Sequence, residues 1–245
     1  MKFSDEQISS IVDKVVSQIQ VKDTPPAGRP ANTTATVSKQ EPKKDAAFTG
    51  SRGCFGSIDD AIAASVKALD DFKQISLEQR KRIIQKIRDL CKANVELLSK
   101  MAREETGLGR VEDKIKKNLL AINKTPGVED IEPQTFTGDH GFTLLEKAPW
   151  GVIGSITPCT NPTETIICNG IGMIAAGNTV VFNPHPTAKK ISVFVIDLMN
   201  QAVISEGGPP NLFTTIATPT IASANQLMNH KDIKLLVVTG GPAVV

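Results

Sequence analysis

Residues 150–157, WGVIGSIT, open the part of the chain that decides its fold. Downstream of this stretch, short apolar strand patterns alternate with helical patterns. The strand patterns lie at 151–157, 178–182, 211–216 and 233–238, and the helical patterns at 162–176, 187–205 and 219–229. Strands that alternate with helices form βαβ units, which build a parallel sheet with helices on both faces. With right-handed crossovers, the sequence predicts an α/β fold with a Rossmann-like parallel sheet.

The segment that precedes this sheet has helical patterning from residue 48 to about residue 126. Ser57 is expected to cap a first helix that ends near residue 74. Ser76 and Gln79 have the spacing of a capping box, which predicts the start of a long second helix through Ala102. The glycines that follow, at 107 and 109, are expected to end this helix.

Two further elements are predicted before the sheet. Residues 111–123 have the pattern of a third helix, which ends before a Thr-Pro-Gly sequence. Residues 133–149 contain two strand patterns around the sequence Gly-Asp-His-Gly at 138–141, which predicts a β-hairpin.

The first twenty residues have the pattern of an amphipathic helix, and Phe3 can pack on Ile8 as a hydrophobic staple. The apolar face consists of Phe3, Ile8, Ile11, Val12, Val15, Val16 and Ile19. Residues 21–47 contain four prolines and few large aliphatic side chains, which is typical of a disordered linker. A short apolar helix on such a linker is expected to dock on a partner. The alternatives are that it folds back on its own domain or pairs in an oligomer.

Composition excludes several classes of function. The chain has 245 residues, of which 40% are hydrophobic, and its formal net charge is +2. A charge so close to balance gives no field that favours nucleic acid or an anionic membrane. The four cysteines lack CxxC spacing and the three histidines lack zinc-ligand spacing, so no metal site is expected. With no signal peptide and no apolar run of 18 residues, a cytoplasmic location is expected.

Three turns that follow predicted strands are the candidate ligand-binding segments. Ligands of open α/β sheets bind at the carboxyl ends of the strands, and these turns meet at that edge. The candidate residues are Thr157 and Pro158 in the first turn, Asn183, His185 and Pro186 in the second, and Thr239, Gly240 and Gly241 in the third. The glycines of the third turn allow backbone N–H groups to approach a phosphate, with a helix expected from Pro242.

The sequence Gly170-Ile-Gly-Met-Ile-Ala175 matches a dinucleotide-binding fingerprint, but it falls inside a predicted helix. The fingerprint requires a turn between a strand and a helix. Small residues at these positions are therefore interpreted as allowing close packing of the helix on the sheet.

Several motifs resemble the aldehyde dehydrogenase superfamily. They are APWGVIGSITPCTNPTETII, GNTVVFNPHPTAKK and LLVVTGGP, in the order and at the spacing of that family. Together with ETGLGRVEDK, TPGVED and TGDHG, they are similar to the CoA-acylating propionaldehyde and acetaldehyde dehydrogenases of bacterial microcompartments, which serve propanediol and ethanolamine utilisation. The resemblance covers residues 48–245 and implies an NAD-binding domain there. It also implies that residues 1–20 are a targeting helix for a microcompartment shell protein and that residues 21–47 are its linker.

The resemblance implies a reaction and a function for each turn. In the family, a cysteine thiolate attacks the aldehyde, a hydride passes to NAD, and coenzyme A takes the acyl group. Asn183 stands where ordinary members have a lysine near the adenine ribose, and a neutral amide favours NAD over NADP. The turn at 239–241 matches the loop before the pyrophosphate-binding helix. The oxyanion-hole asparagine of the family falls on Thr160, with Asn161 next to it, so Thr160, Asn161 or a backbone N–H are the candidate oxyanion donors.

The family's catalytic cysteine lies beyond the third turn, so the chain is expected to be the N-terminal half of such an enzyme, without its nucleophile. Cys159 is interpreted as pocket lining, Glu164 as favourably placed at a helix N-terminus, and His185 as a cofactor contact. Full-length members are expected to be homo-oligomers. A non-catalytic microcompartment cargo or nucleotide-binding module is the alternative function.

Overall fold

The computed structural model of the protein describes residues 50–241. The helix predicted at 4–20, the linker at 21–47 and the helix expected from Pro242 lie outside the described residues. The strands are β1 (Cys54–Phe55), β2 (Gln134–Gly138), β3 (Gly141–Leu145), β4 (Val152–Thr157), β5 (Thr179–Pro184), β6 (Phe213–Ile216) and β7 (Ile233–Val238). The α-helices are α1 (Ile58–Phe72), α2 (Leu77–Ala93), α3 (Val95–Thr106), α4 (Val111–Lys124), α5 (Pro162–Ala175), α6 (Lys189–Ser205) and α7 (Ile221–Met228).

Five strands form the main sheet in the order β1-β6-β5-β4-β7, and every pairing is parallel. The parallel α/β sheet predicted from the alternation of strands and helices is thereby confirmed. The sequence did not predict β1, which begins at Cys54. This strand escapes pattern recognition because it has only two residues, which pair with Thr215 and Ile216 of β6.

Helices cover both faces of the sheet, and two apolar clusters result. One cluster joins the sheet to α5 and α6, with α2, α3 and α4 packed outside them. The other joins the sheet to α1 and α7. Strand β5 shows the alternation directly, since Val180 and Phe182 belong to the first cluster and Val181 to the second. Complete burial of a side chain such as Phe182 stabilises the fold by about 1.5–3 kcal/mol.

The predicted long helix through Ala102 is in fact two helices. The chain breaks at Asn94, whose φ of −106° and ψ of 11° are not helical. Its Nδ2 donates to the carbonyl of Leu90 at 2.9 Å, and this local bond competes with continuation of the helix. Gly107, at φ 71°, then ends α3 in the left-handed conformation, as expected for a C-terminal glycine.

The two predicted helix starts differ in detail. Ser57 Oγ accepts from the N–H of Asp60 at 3.1 Å, so the cap of α1 is as expected. Ser76 Oγ likewise accepts from the N–H of Gln79 at 3.2 Å. The reciprocal half of the capping box is not formed, however. Gln79 Nε2 donates instead to the carbonyl of Gly207, which ties the start of α2 to the end of α6.

Strands β2 and β3 pair in antiparallel register from Gln134 opposite Leu145 to Gly138 opposite Gly141. All ten of their residues are exposed. Large apolar side chains are among them, including Phe136 and Phe142. Across residues 50–241, no helix combines the length and apolarity that a membrane crossing requires.

Candidate functional site

The three candidate turns meet at one edge of the sheet because β4 lies between β5 and β7. From β4 the chain adds β5 and β6 on one side and then returns to place β7 on the other. Such a reversal of strand order is where open α/β sheets bind ligands. Backbone bonds join the turns, since His185 N–H donates to the carbonyl of Thr157 and Thr239 N–H to that of Ile156, each at 3.0 Å.

A pocket of about 570 Å³ lies at this edge. The structure brings every candidate from the sequence to its wall, namely Thr157, Pro158, Thr160, Asn161, Asn183, His185, Pro186, Thr239, Gly240 and Gly241. Cys159 also lines the pocket, as the sequence indicated. Three further lining residues, Thr220, Ile221 and Ala224, belong to the start of α7 and were not predicted. The Thr-x-x-Ser pattern at 220–223, a capping box, marks the start of this helix, and its position after β6 puts that start at the same edge of the sheet.

Asn183 is the most constrained polar group of the pocket. It is the fifth residue of β5 and only 3% exposed. Ser223 Oγ donates to Asn183 Oδ1 at 2.7 Å, and Ser223 is itself held by its reciprocal bonds with Thr220. The bond at the amide oxygen leaves the Nδ2 group as the donor that Asn183 can offer to a ligand.

The pocket wall also contains a buried hydroxyl with no partner. Thr157 is 2% exposed, and its Oγ1 has no hydrogen-bond partner within residues 50–241. A buried polar atom without a bond is costly, so such an atom beside a cavity suits a polar ligand. The neighbouring His185 is occupied, since its Nδ1 accepts from the N–H of Thr187 at 3.2 Å. This bond leaves Nε2 as the nitrogen that can reach a ligand.

Two lysines of α4 bind the turn that follows β4, from outside the sheet. Lys114 Nζ donates to the carbonyl of Thr160 at 3.1 Å, and Lys117 Nζ donates to Asn161 Oδ1 at 3.0 Å. Lys114 is buried, and Lys117 is exposed. Neither residue was predicted from the sequence. Their spacing of three places them on one helix face, but only the packing of α4 on α5 brings that face to the turn.

Burial lowers the pKa of Lys114, and the positive charges of Lys117 and Arg103 add to this effect. The Glu164 carboxylate acts in the opposite direction. Glu164 lies in the first turn of α5, where the helix dipole favours a negative charge. Thr163 Oγ1 donates to Glu164 Oε2 at 3.0 Å, whereas Oε1 has no partner among the described residues. The turn is therefore flanked by two buried groups of opposite charge.

Burial sets the chemistry of two of the four cysteines. It raises the pKa of Cys54 to about 11 and that of Cys91 to about 12, so neither is a ready nucleophile. Cys159 is half-buried against the larger apolar cluster, and Cys168 is exposed on α5. The part of the chain that the structure describes holds no group of three or more side chains suited to bind a metal ion.

The fingerprint-like sequence at 170–175 lies within α5, away from any strand-to-helix turn. A Cβ at Gly170 would lie 2.5 Å from Met199 Cε and 3.1 Å from Phe213 Cε1. Close packing on α6 and β6 therefore explains this glycine, as the sequence indicated.

Comparisons with known proteins agree with this architecture. Residues 32–245 match the aldehyde dehydrogenase family. The acetaldehyde dehydrogenase (acetylating) EutE of Salmonella typhimurium is 51% identical over 193 residues, which cover 79% of this chain and 41% of the relative. The propanal dehydrogenase (CoA-propanoylating) of the same organism is 44% identical over 194 residues, covering 79% and 42%.

A solved structure is also similar. The propionaldehyde dehydrogenase from the Clostridium phytofermentans fucose utilisation bacterial microcompartment superposes with a TM-score of 0.77 at 50% identity, covering 78% of this chain and 44% of that one. The chain thus spans less than half the length of these proteins. Since its match to the family extends over most of its residues, the chain belongs to the aldehyde dehydrogenase family, and the relatives it resembles are CoA-acylating.

Proposed function

We propose that the whole protein oxidises a short-chain aldehyde, propionaldehyde or acetaldehyde, to its acyl-CoA with NAD and coenzyme A. This chain supplies the cofactor-binding part. The observation that carries the proposal is the pocket at the reversal of strand order, on which all eight cofactor-binding candidates lie. NAD, when bound, accepts the hydride that leaves the substrate.

Each part of the pocket suits a different part of NAD. The Nδ2 group of Asn183 donates to a ribose hydroxyl, and its lack of charge favours NAD over a 2′-phosphorylated cofactor. Ile221 and Ala224 offer an apolar wall for the adenine ring. The backbone N–H groups of Gly240 and Gly241 can approach the pyrophosphate, since no side chain stands between them and the ligand.

Cofactor binding tests this proposal in the 245-residue chain itself. We expect NAD to bind in a calorimetric or fluorescence titration. Asn183→Leu should weaken it about 3- to 10-fold, because one neutral hydrogen bond contributes about 0.5–1.5 kcal/mol. Asn225→Leu is the matched control, since Asn225 is exposed on α7 and does not line the pocket. Equal affinity of the wild type and both variants would remove Asn183 from the site.

Turnover is measured separately, as NADH formation from propionaldehyde or acetaldehyde that depends on coenzyme A. We expect this turnover of the whole protein. NAD binding without such turnover by the whole protein would favour the alternative, a nucleotide-binding module or cargo protein. Turnover that is lost on replacement of Cys159 would make Cys159 the nucleophile and refute its assignment to pocket lining.

We further propose that the apolar face at residues 3–19 binds a microcompartment shell protein and directs the enzyme into that compartment. The support is the sequence pattern of an amphipathic helix, with Phe3 as a hydrophobic staple, ahead of a proline-rich linker. Deletion of residues 1–20 should abolish co-purification with shells and leave the NAD affinity unchanged. Unaltered co-purification of the shortened protein would refute the targeting assignment.

A homo-oligomer is proposed for the whole protein, with the exposed hairpin as its contact. A two-stranded hairpin is marginally stable alone, and Phe142 and Leu144 are 76% and 54% exposed. Phe142→Asp should lower the mass measured by light scattering. An unchanged mass would place the contact elsewhere.

A further inference from the structure

We propose that Lys114 and Lys117 are positioning residues that aim the hydrogen-bond donors of Asn161 at the oxyanion of the reacting aldehyde. The inference rests on the proposed function. It deepens that function by choosing among the donors that the sequence leaves open, which are Thr160, Asn161 and a backbone N–H.

Lys117 sets the orientation of the Asn161 side chain. An ammonium group has donors and no acceptor, so Lys117 Nζ, at 3.0 Å, can bond only the oxygen of the carboxamide. The bond therefore fixes which end of the amide faces α4. The Nδ2 group, on the opposite branch, is left to donate elsewhere. Asn161 also lines the pocket at the strand edge, so that donor belongs to the site.

Lys114 sets the orientation of the peptide group between Thr160 and Asn161. Lys114 Nζ binds the carbonyl of Thr160, which belongs to the same peptide group as the N–H of Asn161. The described chain contains no cis peptide bond, so this carbonyl and this N–H point in opposite directions. An ammonium on the carbonyl side fixes the peptide plane and polarises it, which strengthens the N–H as a donor.

Both donors of Asn161 are therefore directed away from α4. Within residues 50–241, neither its backbone N–H nor its Nδ2 has a hydrogen-bond partner. The residue is the N-cap of α5, and its side-chain oxygen accepts no N–H of the helix, so Oδ1 is available to Lys117. Two fixed donors and the positive end of a helix dipole are the elements of an oxyanion site.

Thr160 lacks this arrangement. Its side chain is exposed, and within residues 50–241 no hydrogen bond fixes the proton of its rotatable hydroxyl. A donor that must be ordered during the reaction stabilises the developing charge less than one that is already in place. Thr160 contributes its carbonyl to the lysine contact, and Asn161 contributes the donors.

The test combines four variants of the whole protein, assayed for the single-turnover rate of NADH formation. Asn161→Ala should lower this rate about 100-fold, which is the usual effect of losing one oxyanion donor. Lys117→Met should lower it about 10-fold, with the aldehyde KM and the NAD affinity within about twofold of wild type. Lys117→Arg keeps a donor and should recover most of the rate. Lys116→Met is the control, because Lys116 is an exposed lysine on the same helix with no bond to the turn.

A double-mutant cycle shows whether Lys117 acts through Asn161. If it does, Lys117→Met should cause no further loss in the Asn161→Ala background. The inference would be overturned if the two substitutions lowered the single-turnover rate additively in the double variant. A rate within twofold of wild type for Lys117→Met would overturn it as well. Lys114→Met removes a buried group and is interpreted only where NAD affinity shows that the fold is intact. A wild-type protein that makes no acyl-CoA would instead refute the proposed function.

Discussion

Replacement of Gly53 by alanine should destabilise the protein more than any other single methyl addition near the start of the described chain. Gly53 is buried, has φ 79° and precedes the two-residue strand β1. A Cβ there would lie 2.3 Å from the backbone oxygen of Phe213 and 2.5 Å from Asn200 Nδ2. Neither atom can withdraw easily, because Asn200 Nδ2 donates to that same oxygen at 2.7 Å.

The expected cost has three parts. The left-handed conformation costs a non-glycine residue about 1–2 kcal/mol, and overpacking at a fixed backbone about 1–3 kcal/mol. Displacing Asn200 would weaken a buried hydrogen bond, for about 1 kcal/mol more. We therefore expect Gly53→Ala to lower the free energy of unfolding by about 3–6 kcal/mol, which is a large share of the stability of a typical domain.

Gly56→Ala is the matched control, since Gly56 is exposed and a Cβ there would have no neighbour within 4 Å. Urea unfolding of the wild type and the two variants, followed by circular dichroism at one pH, measures the difference. Gly56→Ala should remain within about 1 kcal/mol of wild type. Equal unfolding midpoints for the two variants would refute the close approach of Gly53 to β6.

Four further predictions concern the packing and exposure of single residues. Asn200→Leu should cost about 2–4 kcal/mol in a thermal or urea unfolding experiment, because the amide satisfies backbone groups in a site with no exposure. Gly170→Ala should lower stability by about 1–3 kcal/mol through contact with Met199, whereas the folded variant should keep its NAD affinity, which a true dinucleotide fingerprint would not allow. At pH 8, iodoacetamide followed by mass spectrometry should label the exposed Cys168 and leave Cys91 unlabelled, because burial raises the pKa of Cys91 to about 12 and keeps it protonated. Above pH 9, this raised pKa should make the protein less stable as the pH increases, since the unfolded thiol then ionises and the buried one does not.

The parallel sheet could be predicted from the sequence because its strands are buried on both faces. Such strands are continuous apolar runs separated by helices, and that alternation has few structural solutions. The predicted and observed bounds differ by one or two residues, and β5 extends through Asn183 and Pro184 where an apolar run had indicated an end at residue 182. The strand continues because Asn183 pairs with Ile156 of β4. The local sequence around Asn183 does not show this pairing, since it depends on the neighbouring strand.

Two features of the fold depend on contacts that the sequence does not display. Strand β1 is too short for a pattern, and its existence rests on the edge of β6 that accepts it. The division of the predicted long helix at Asn94 depends on whether an asparagine bonds its own helix or the solvent. The capping box at Ser76 and Gln79 is a second case. Gln79 donates to carbonyls 127 and 128 residues away and does not accept from the N-cap backbone N–H, as the motif predicts it would. A local motif predicts a bond only when no distant group competes for the same atoms.

The candidate site likewise has a part that the sequence predicts and a part that it does not. Its turns were predictable because parallel strands bring their carboxyl ends to one edge, so residues that follow different strands must meet. The side chains that bind these turns could not be predicted. Ser223 and the two lysines lie on helices, and packing determines which face of each helix is turned towards the site. Spacing in the sequence places Lys114 and Lys117 on one face of α4 but gives no direction for that face.

This difference bears on how an oxyanion donor is identified from a sequence. An ungapped alignment with the wider family places the oxyanion-hole asparagine on Thr160, because an alignment compares only positions along the chain. The direction in which a donor points is decided by the groups that bind its other atoms. Here those groups are two cations on α4, and both act on the peptide and side chain that follow Thr160. A donor one residue away from the aligned position can thus serve the same oxyanion, provided that its acceptor atoms are already occupied.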